Sequence, residues 1–194
     1  VISVVTPTWR RFELLTRRCI PSVAAQTYPG GFEHVVVSDG PDEELRAVLA
    51  DVPGVRYDEL AEHSPVGQWG EFPRLAGIEV AKGDVIAYLD DDNAFRPRHL
   101  EVLAEALGSS GAGFAYGQMA VNFSSGSQAV IGGDTPAYCH IDTSMIVHRR
   151  ELLDVATWRV GYPTIDWDLV ERWMAAGVRW VHVPEVTVDY YSRV

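Results

Sequence analysis

The sequence predicts an α/β domain, a mostly parallel central sheet flanked by helices with a smaller antiparallel part towards its C-terminal end. Three observations predict it. Short β-branched runs alternate with helix-period segments through the first half of the chain. Strand-like runs end in Pro, Gly or Asp, which stop regular structure. The second half changes character, with two short runs joined by Ser124-Ser125-Gly126-Ser127 in a hairpin-like arrangement.

Residues 1–6 are apolar and β-branched and stop at Pro7, which reads as a buried strand running into a loop. Residues 13–26 carry Leu14, Leu15, Ile20, Val23 and Ala24 at helical spacing. Pro21 inside them removes a backbone donor, so this helix should bend or split. Residues 34–38 form a second buried strand, stopped by Asp39-Gly40-Pro41. A helix over 42–50, with an acidic first turn, and a third strand over 55–57 follow. Residues 71–81 read as helix, Pro73 being tolerable near a first turn, and 84–89 as the fourth strand, running straight into Asp90-Asp91-Asp92. Residues 97–107 form a helix that opens on Pro and ends at Gly108. Strands over 114–123 and 128–131 then add antiparallel pairing, and a helix over 165–176 ends at Gly177. Short strands over 178–183 and 186–190 close the domain.

Strand–helix alternation of this kind implies right-handed crossovers, and ligands of such sheets lie beyond the carboxyl ends of the strands. Thr6, Asp39 and Asp90 to Asp92 are expected to gather at that mouth.

A hydrophobic share of 47% with 22% charged residues is a globular composition, and 194 residues suffice for one domain with a sizeable core. The formal net charge of -11 argues against nucleic acid as a partner, because phosphate backbones are held by clustered Lys and Arg. Cys19 and Cys139 read as free, buried thiols. No leader-like segment and no apolar stretch of about 18 residues is visible, which points to a cytoplasmic chain, and the missing initiator Met suggests trimming. Oligomeric state is not readable.

Three consecutive carboxylates at the end of an apolar strand repel one another, and a fold rarely keeps them there without a cation. Mg²⁺ or Mn²⁺ takes oxygen ligands, bridges substrate phosphates and needs only one or two protein carboxylates. Alternating side chains would place Asp90 and Asp92 on one side and Asp91 on the other.

The chain resembles glycosyltransferase family 2, and the likeness covers nearly its whole length. It is carried by Val4-Val5-Thr6-Pro7-Thr8, by 22–29, by Val36-Val37-Ser38-Asp39-Gly40 and by Arg74-Leu75-Ala76-Gly77-Ile78. It continues through 81–93 and ends at Asp166-Trp167-Asp168-Leu169, with Arg172 and Gly177 at the family's spacing. The resemblance implies a GT-A, Rossmann-like single domain over 1–194, with a nucleotide-binding half over 1–93 and an acceptor-binding half over 94–194. It implies a nucleoside diphosphate sugar (UDP, dTDP or GDP linked) as donor and transfer with inversion to an unknown hydroxyl acceptor.

The same resemblance implies a donor site of Thr6, Pro7, Thr8, Asp39, Arg74, Asp90 and Asp91, with Asp39 pairing to the base. Asp92 and Asp90 then hold the divalent metal, and Asp166 is the catalytic base. Ile165 stands where the family has a Glu. Asp168 is the rival base, although two residues along a helix it faces away from Asp166. His140, Asp142, Trp167 and Asp168 are candidate lining for the acceptor. Trp69, Trp158 and Trp167 are candidates to stack on sugar rings, a core role being the plainer reading. His140, His148 and His182 read as hydrogen-bonded or surface histidines.

Two other enzyme classes place acids near strand ends. A sugar nucleotidyltransferase would show a Gly-rich, Arg-containing loop after the first strand, and a haloacid dehalogenase-type phosphatase would carry its nucleophile on that strand. The chain shows neither. A non-catalytic nucleotide-sugar binding domain is the remaining alternative.

Overall fold

The structure, a computed structural model, describes residues 1–65, 70–162 and 164–192. Its strands are β1 (Ile2–Thr8), β2 (Phe32–Ser38), β3 (Val55–Glu59), β4 (Val85–Tyr88), β5 (Ala94–Phe95), β6 (Phe114–Asn122), β7 (Gln128–Ile131), β8 (Ile146–Arg149) and β9 (Trp180–Tyr191). They form one sheet in the order β3-β2-β1-β4-β8-β6-β9-β5, with β7 paired to β6. β3, β2, β1 and β4 run parallel. β8 is antiparallel to both β4 and β6, whereas β9 lies parallel to β6.

The parallel block is apolar on both faces because helices cover it. Val35, Val36 and Val37 are all fully buried, each worth roughly 1.5–3 kcal/mol of hydrophobic stabilisation. Helix α3 (Glu43–Leu49) opens on Asp42, whose carboxylate accepts the Leu45 amide at 2.9 Å. Helix α4 (Glu71–Val80) packs on β1 and β2, and α5 (His99–Ser110) packs on β6, β8 and β9.

Several boundaries differ from the sequence reading for identifiable reasons. β1 continues through Pro7 to Thr8. The β4 register stops at Val5↔Tyr88, and Leu89 still donates to the Val5 carbonyl. Pro7, two residues on, points towards that same side beyond the last pair, where its missing N–H leaves no gap. The first helix is split as expected, its break lying in the turn just ahead of Pro21. It comprises α1 (Phe12–Leu14), a π-helical turn (Leu15–Cys19) and α2 (Ile20–Ala24), the wider turn making room for the proline ring.

Helix α5 runs through Gly108 and stops at Gly111, which adopts φ 62°. Strand β8 was not expected. The two closing strands are one, β9, with register shifts opposite Tyr116, Gln118 and Met119. The last helix, α6 (Ile165–Ala175), ends before Gly177 at φ 77° as expected. Both cysteines are free, Cys19 buried and Cys139 exposed, so the second is not the core thiol expected. Among the described residues no helix is long and apolar enough to cross a membrane.

Candidate active site

The order β3-β2-β1-β4 means that the chain winds to one side of β1 and then returns to its other side, leaving a crevice beyond the ends of β1 and β4. A cavity of about 510 Å³ opens there. Pro7 and Thr8 come from the end of β1, Asp39 from the end of β2 and Asp90, Asp91 and Asp92 from the turn after β4, with Arg74 from α4.

One wall is built around Asp39. Its Oδ1 accepts from the Ser64 amide at 3.0 Å and the Ser64 hydroxyl at 2.5 Å, and its carbonyl accepts from His63 Nδ1 at 2.8 Å. His63 stacks flat on Trp9 at 4.2 Å. Gly40 passes under this pair at φ 120°, where a Cβ would come within 3.0 Å of the His63 nitrogen and the Trp9 ring. Beside it Arg10 adopts φ 52°, a left-handed kink that separates Trp9 on this wall from Arg11 on the other.

The opposite wall is the acidic turn, closed by the Asn93 amide donating to the Asp90 carbonyl at 3.1 Å. As a turn it does not obey strand alternation, and all three carboxylates line the cavity. Asp91 is the most enclosed at 3% exposure. It accepts Thr8 Oγ1 at 2.8 Å and Arg11 Nη1 at 2.9 Å. Burial pushes its carboxyl up to about 6 against the pull of the Arg11 charge. Arg11 also reaches Asp92 Oδ2 at 3.4 Å, and Arg18 donates to the Asp92 carbonyl at 2.5 Å.

Arg74 joins this wall to a further pair of carboxylates, Asp166 and Asp142. The side chain is buried, donates to Asp90 Oδ1 at 2.5 Å and lies over the Trp158 ring at 5.3 Å. Its charge also acts on Asp166 and Asp142. Asp166, in the first turn of α6, accepts the Thr143 hydroxyl. Burial raises its carboxyl above the ordinary range, against Arg74 and that hydrogen bond. Asp142 caps the short turn that presents Thr143 and accepts the Ser144 amide at 2.8 Å. Burial, and then the charges of Asp166 and Asp90, push it up to about 8.

The cavity therefore gathers Pro7, Thr8, Asp39, Arg74 and the three tip aspartates. Asp142 and Asp166 are not among its lining residues and connect to it through the charge of Arg74, and Thr6 does not line it either. Its hydroxyl is buried against Cys19 Sγ and His34 Nε2, because β1 ends two residues later than expected. Asp168 is buried between Arg159 at 3.2 Å and Arg172 at 2.7 Å, a structural clamp that uses both carboxylate oxygens. His140 is exposed outside the cavity, Trp167 packs against the core, Trp158 is buried and Trp69 lies outside the described residues. His148 is internal and hydrogen-bonded, and His182 lies 3.2 Å from Asp134.

Sequence reasoning missed Trp9, Arg11, His63 and Tyr190. Arg11 had a signal: three adjacent carboxylates need cations, and Arg10, Arg11, Arg17 and Arg18 follow the strand that βαβ topology sets beside β4.

Among the described residues no group of three or more His, Cys, Asp or Glu forms a ready-made metal cage. The tip nevertheless fits a hard cation. Asp90 and Asp92 present carboxylate oxygens to the cavity, and Mg²⁺ or Mn²⁺ on a nucleotide needs one or two of these, phosphate completing the shell.

The solved structure of S. aureus TarS 1–349 in complex with UDP-GlcNAc superposes on the whole of this chain with a TM-score of 0.75 at 17% identity, covering 59% of that protein. The architecture is that of the GT-A glycosyltransferases. An uncharacterised glycosyltransferase of Nostoc is 27% identical over 82% of this chain and 56% of its own length. The glucosyl-dolichyl phosphate glucuronosyltransferase of Haloferax volcanii is 35% identical over 54% of this chain and 33% of its own. The chain thus spans little more than half the length of these relatives, or less. Residues 3–152 match the family model described as Glycosyl transferase family 2, and the chain belongs to that family.

Proposed function

We propose that this domain transfers a sugar from a nucleoside diphosphate donor to an acceptor hydroxyl in one displacement with inversion. One observation carries it: a single cavity at the sheet's switch point has Asp39 on one wall and Asp90 and Asp92 on the other. A carboxylate beside a stacked Trp9–His63 pair suits a nucleobase, accepting an imino proton as uracil or thymine offers. UDP-GlcNAc bound to TarS, on the same architecture, supports a uridine carrier. Asp92 and Asp90 would hold a divalent cation, which when bound neutralises the departing diphosphate.

Asp166 is the proposed base. It takes the acceptor's proton as the hydroxyl oxygen attacks the anomeric carbon and the electron pair of the broken bond leaves on the diphosphate. Burial raises its carboxyl, which makes the carboxylate a stronger proton acceptor, and the Arg74 charge favours the ionised form that a base needs. Activity should therefore fall as pH drops and Asp166 is protonated.

Asp166→Asn is expected to lower turnover by about 10²–10⁴-fold, the usual weight of a general base. UDP affinity should stay within about twofold, inside the scatter of such measurements. A variant that turns over normally with UDP-GlcNAc would remove Asp166 from the role.

A further inference from the structure

The acidic turn already contains a positive charge. Arg11 Nη1 touches Asp91 Oδ1 at 2.9 Å and Asp92 Oδ2 at 3.4 Å. The two contacts are unequal. Asp91 is buried and held from its other oxygen by Thr8, so the short contact is an enclosed anchor. The Asp92 side chain is 14% exposed and its contact is long, while the Arg11 side chain is 40% exposed in the loop leading into α1.

The geometry points to Arg11 as an internal counter-cation that stays anchored on Asp91 and yields Asp92 to an incoming divalent ion, so that it sets the affinity of the site for metal. This rests on the reading of Asp92 as a metal ligand. A guanidinium and a divalent ion a few ångströms apart repel strongly where water is partly excluded, so both do not share the Asp92 carboxylate. The contact that breaks is the long, exposed one, which is worth little by itself. Because Asp91 keeps hold of it, the released guanidinium remains in the cavity. There it suits the oxygens of the donor's diphosphate, whose charge arrives with the metal. In the empty site Arg11 offsets part of the charge of the acidic turn, and in a loaded one it supplies a positive group towards the diphosphate.

The test measures Mn²⁺ binding, by electron paramagnetic resonance of the free ion, to the parent, Arg11→Gln, Arg11→Met, Arg11→Lys and Asp92→Asn, with and without UDP. Gln keeps a donor for Asp91 without the charge, Met keeps only the stem, and Lys keeps the charge. Without UDP, the Gln and Met variants are expected to bind Mn²⁺ at least about fivefold more tightly than the parent. That corresponds to removing an exposed pair worth about 1 kcal/mol. Lys should stay near the parent. With UDP present the gain should shrink, since the removed charge is then missed by the diphosphate.

If Asp92→Asn loses Mn²⁺ while the neutral variants bind no better than the parent, the inference is overturned and the metal site stands. If Asp92→Asn binds as the parent does, or no protein binds Mn²⁺ even with UDP, the metal reading falls and this inference with it.

Discussion

At Asp142, burial and the charges of Asp166 and Asp90 push the carboxyl up to about 8, while the Ser144 amide and Arg74 pull the other way. In the unfolded chain the same group titrates near 3.9. A folded value above the unfolded one means that its contribution to stability is fully present below about pH 3.9 and is lost as pH rises through about 8. Asp142→Asn retains the oxygen that caps the turn and removes the charge. Its melting midpoint at pH 8.5 should exceed the parent's by about 2–4 °C, the effect of roughly 1 kcal/mol in a domain of this size. The advantage should vanish by about pH 4, near the unfolded value, and a parent that melts higher at both pH values would contradict it. Other single residues behave less legibly. Thr6 sits beside Pro7 in the motif yet turns its hydroxyl into the core, and Asp168 lies two positions from Asp166 yet its carboxylate is clamped by Arg159 and Arg172. Motif position names a neighbourhood, whereas side-chain direction depends on where a strand or helix actually begins.

Between elements, α4 sits close on β1 near the site. A Cβ at Gly77 would lie 2.5 Å from Val5 Cγ1 and 3.3 Å from Val37 Cγ2. Gly77→Ala must lift the helix that carries Arg74, and overpacking of this kind costs about 1–3 kcal/mol. A lower urea midpoint with an unchanged slope is the expected result, and an unchanged midpoint would mean the helix has slack. The four parallel strands and their helices were readable because each repeats one local pattern, apolar β-branched run then helical period. Strand β8 was not. Ile146-Val147-His148-Arg149 is short and half polar, and only its insertion between β4 and β6 makes it interior. There Tyr88 donates to His148 Nε2 at 2.9 Å, and His148 Nδ1 donates to the Arg149 carbonyl at 2.8 Å, so the imidazole is buried with both nitrogens satisfied. β9 read as two strands because Pro184 interrupts it, and the register shifts against β6 absorb that interruption.

For the molecule as a whole, a net charge of -11 means that a phosphate-bearing ligand would have to be drawn in by local positive groups. UDP with Mn²⁺ at about 100 times its dissociation constant should raise stability by about 2.7 kcal/mol. That corresponds to a rise of roughly 5–10 °C in the melting midpoint. UDP with a chelator should give clearly less, and equal shifts under the two conditions would argue against a metal at the acidic turn. The cavity's composition from strand ends was foreseeable from topology, but its closure by Tyr190 and Ser192 of the last segment was not, because they reach it through pairing with residues far earlier in the chain. That sheet also works as a ruler. Asp39 and Asp90 follow strands two places apart, with β1 between them, so about 10 Å of rigid backbone spacing separates the two marks. A free nucleoside or a lone pyrophosphate reaches one mark only, and a molecule that joins the two binds as a tethered pair, the second contact made at the high local concentration that the first one creates.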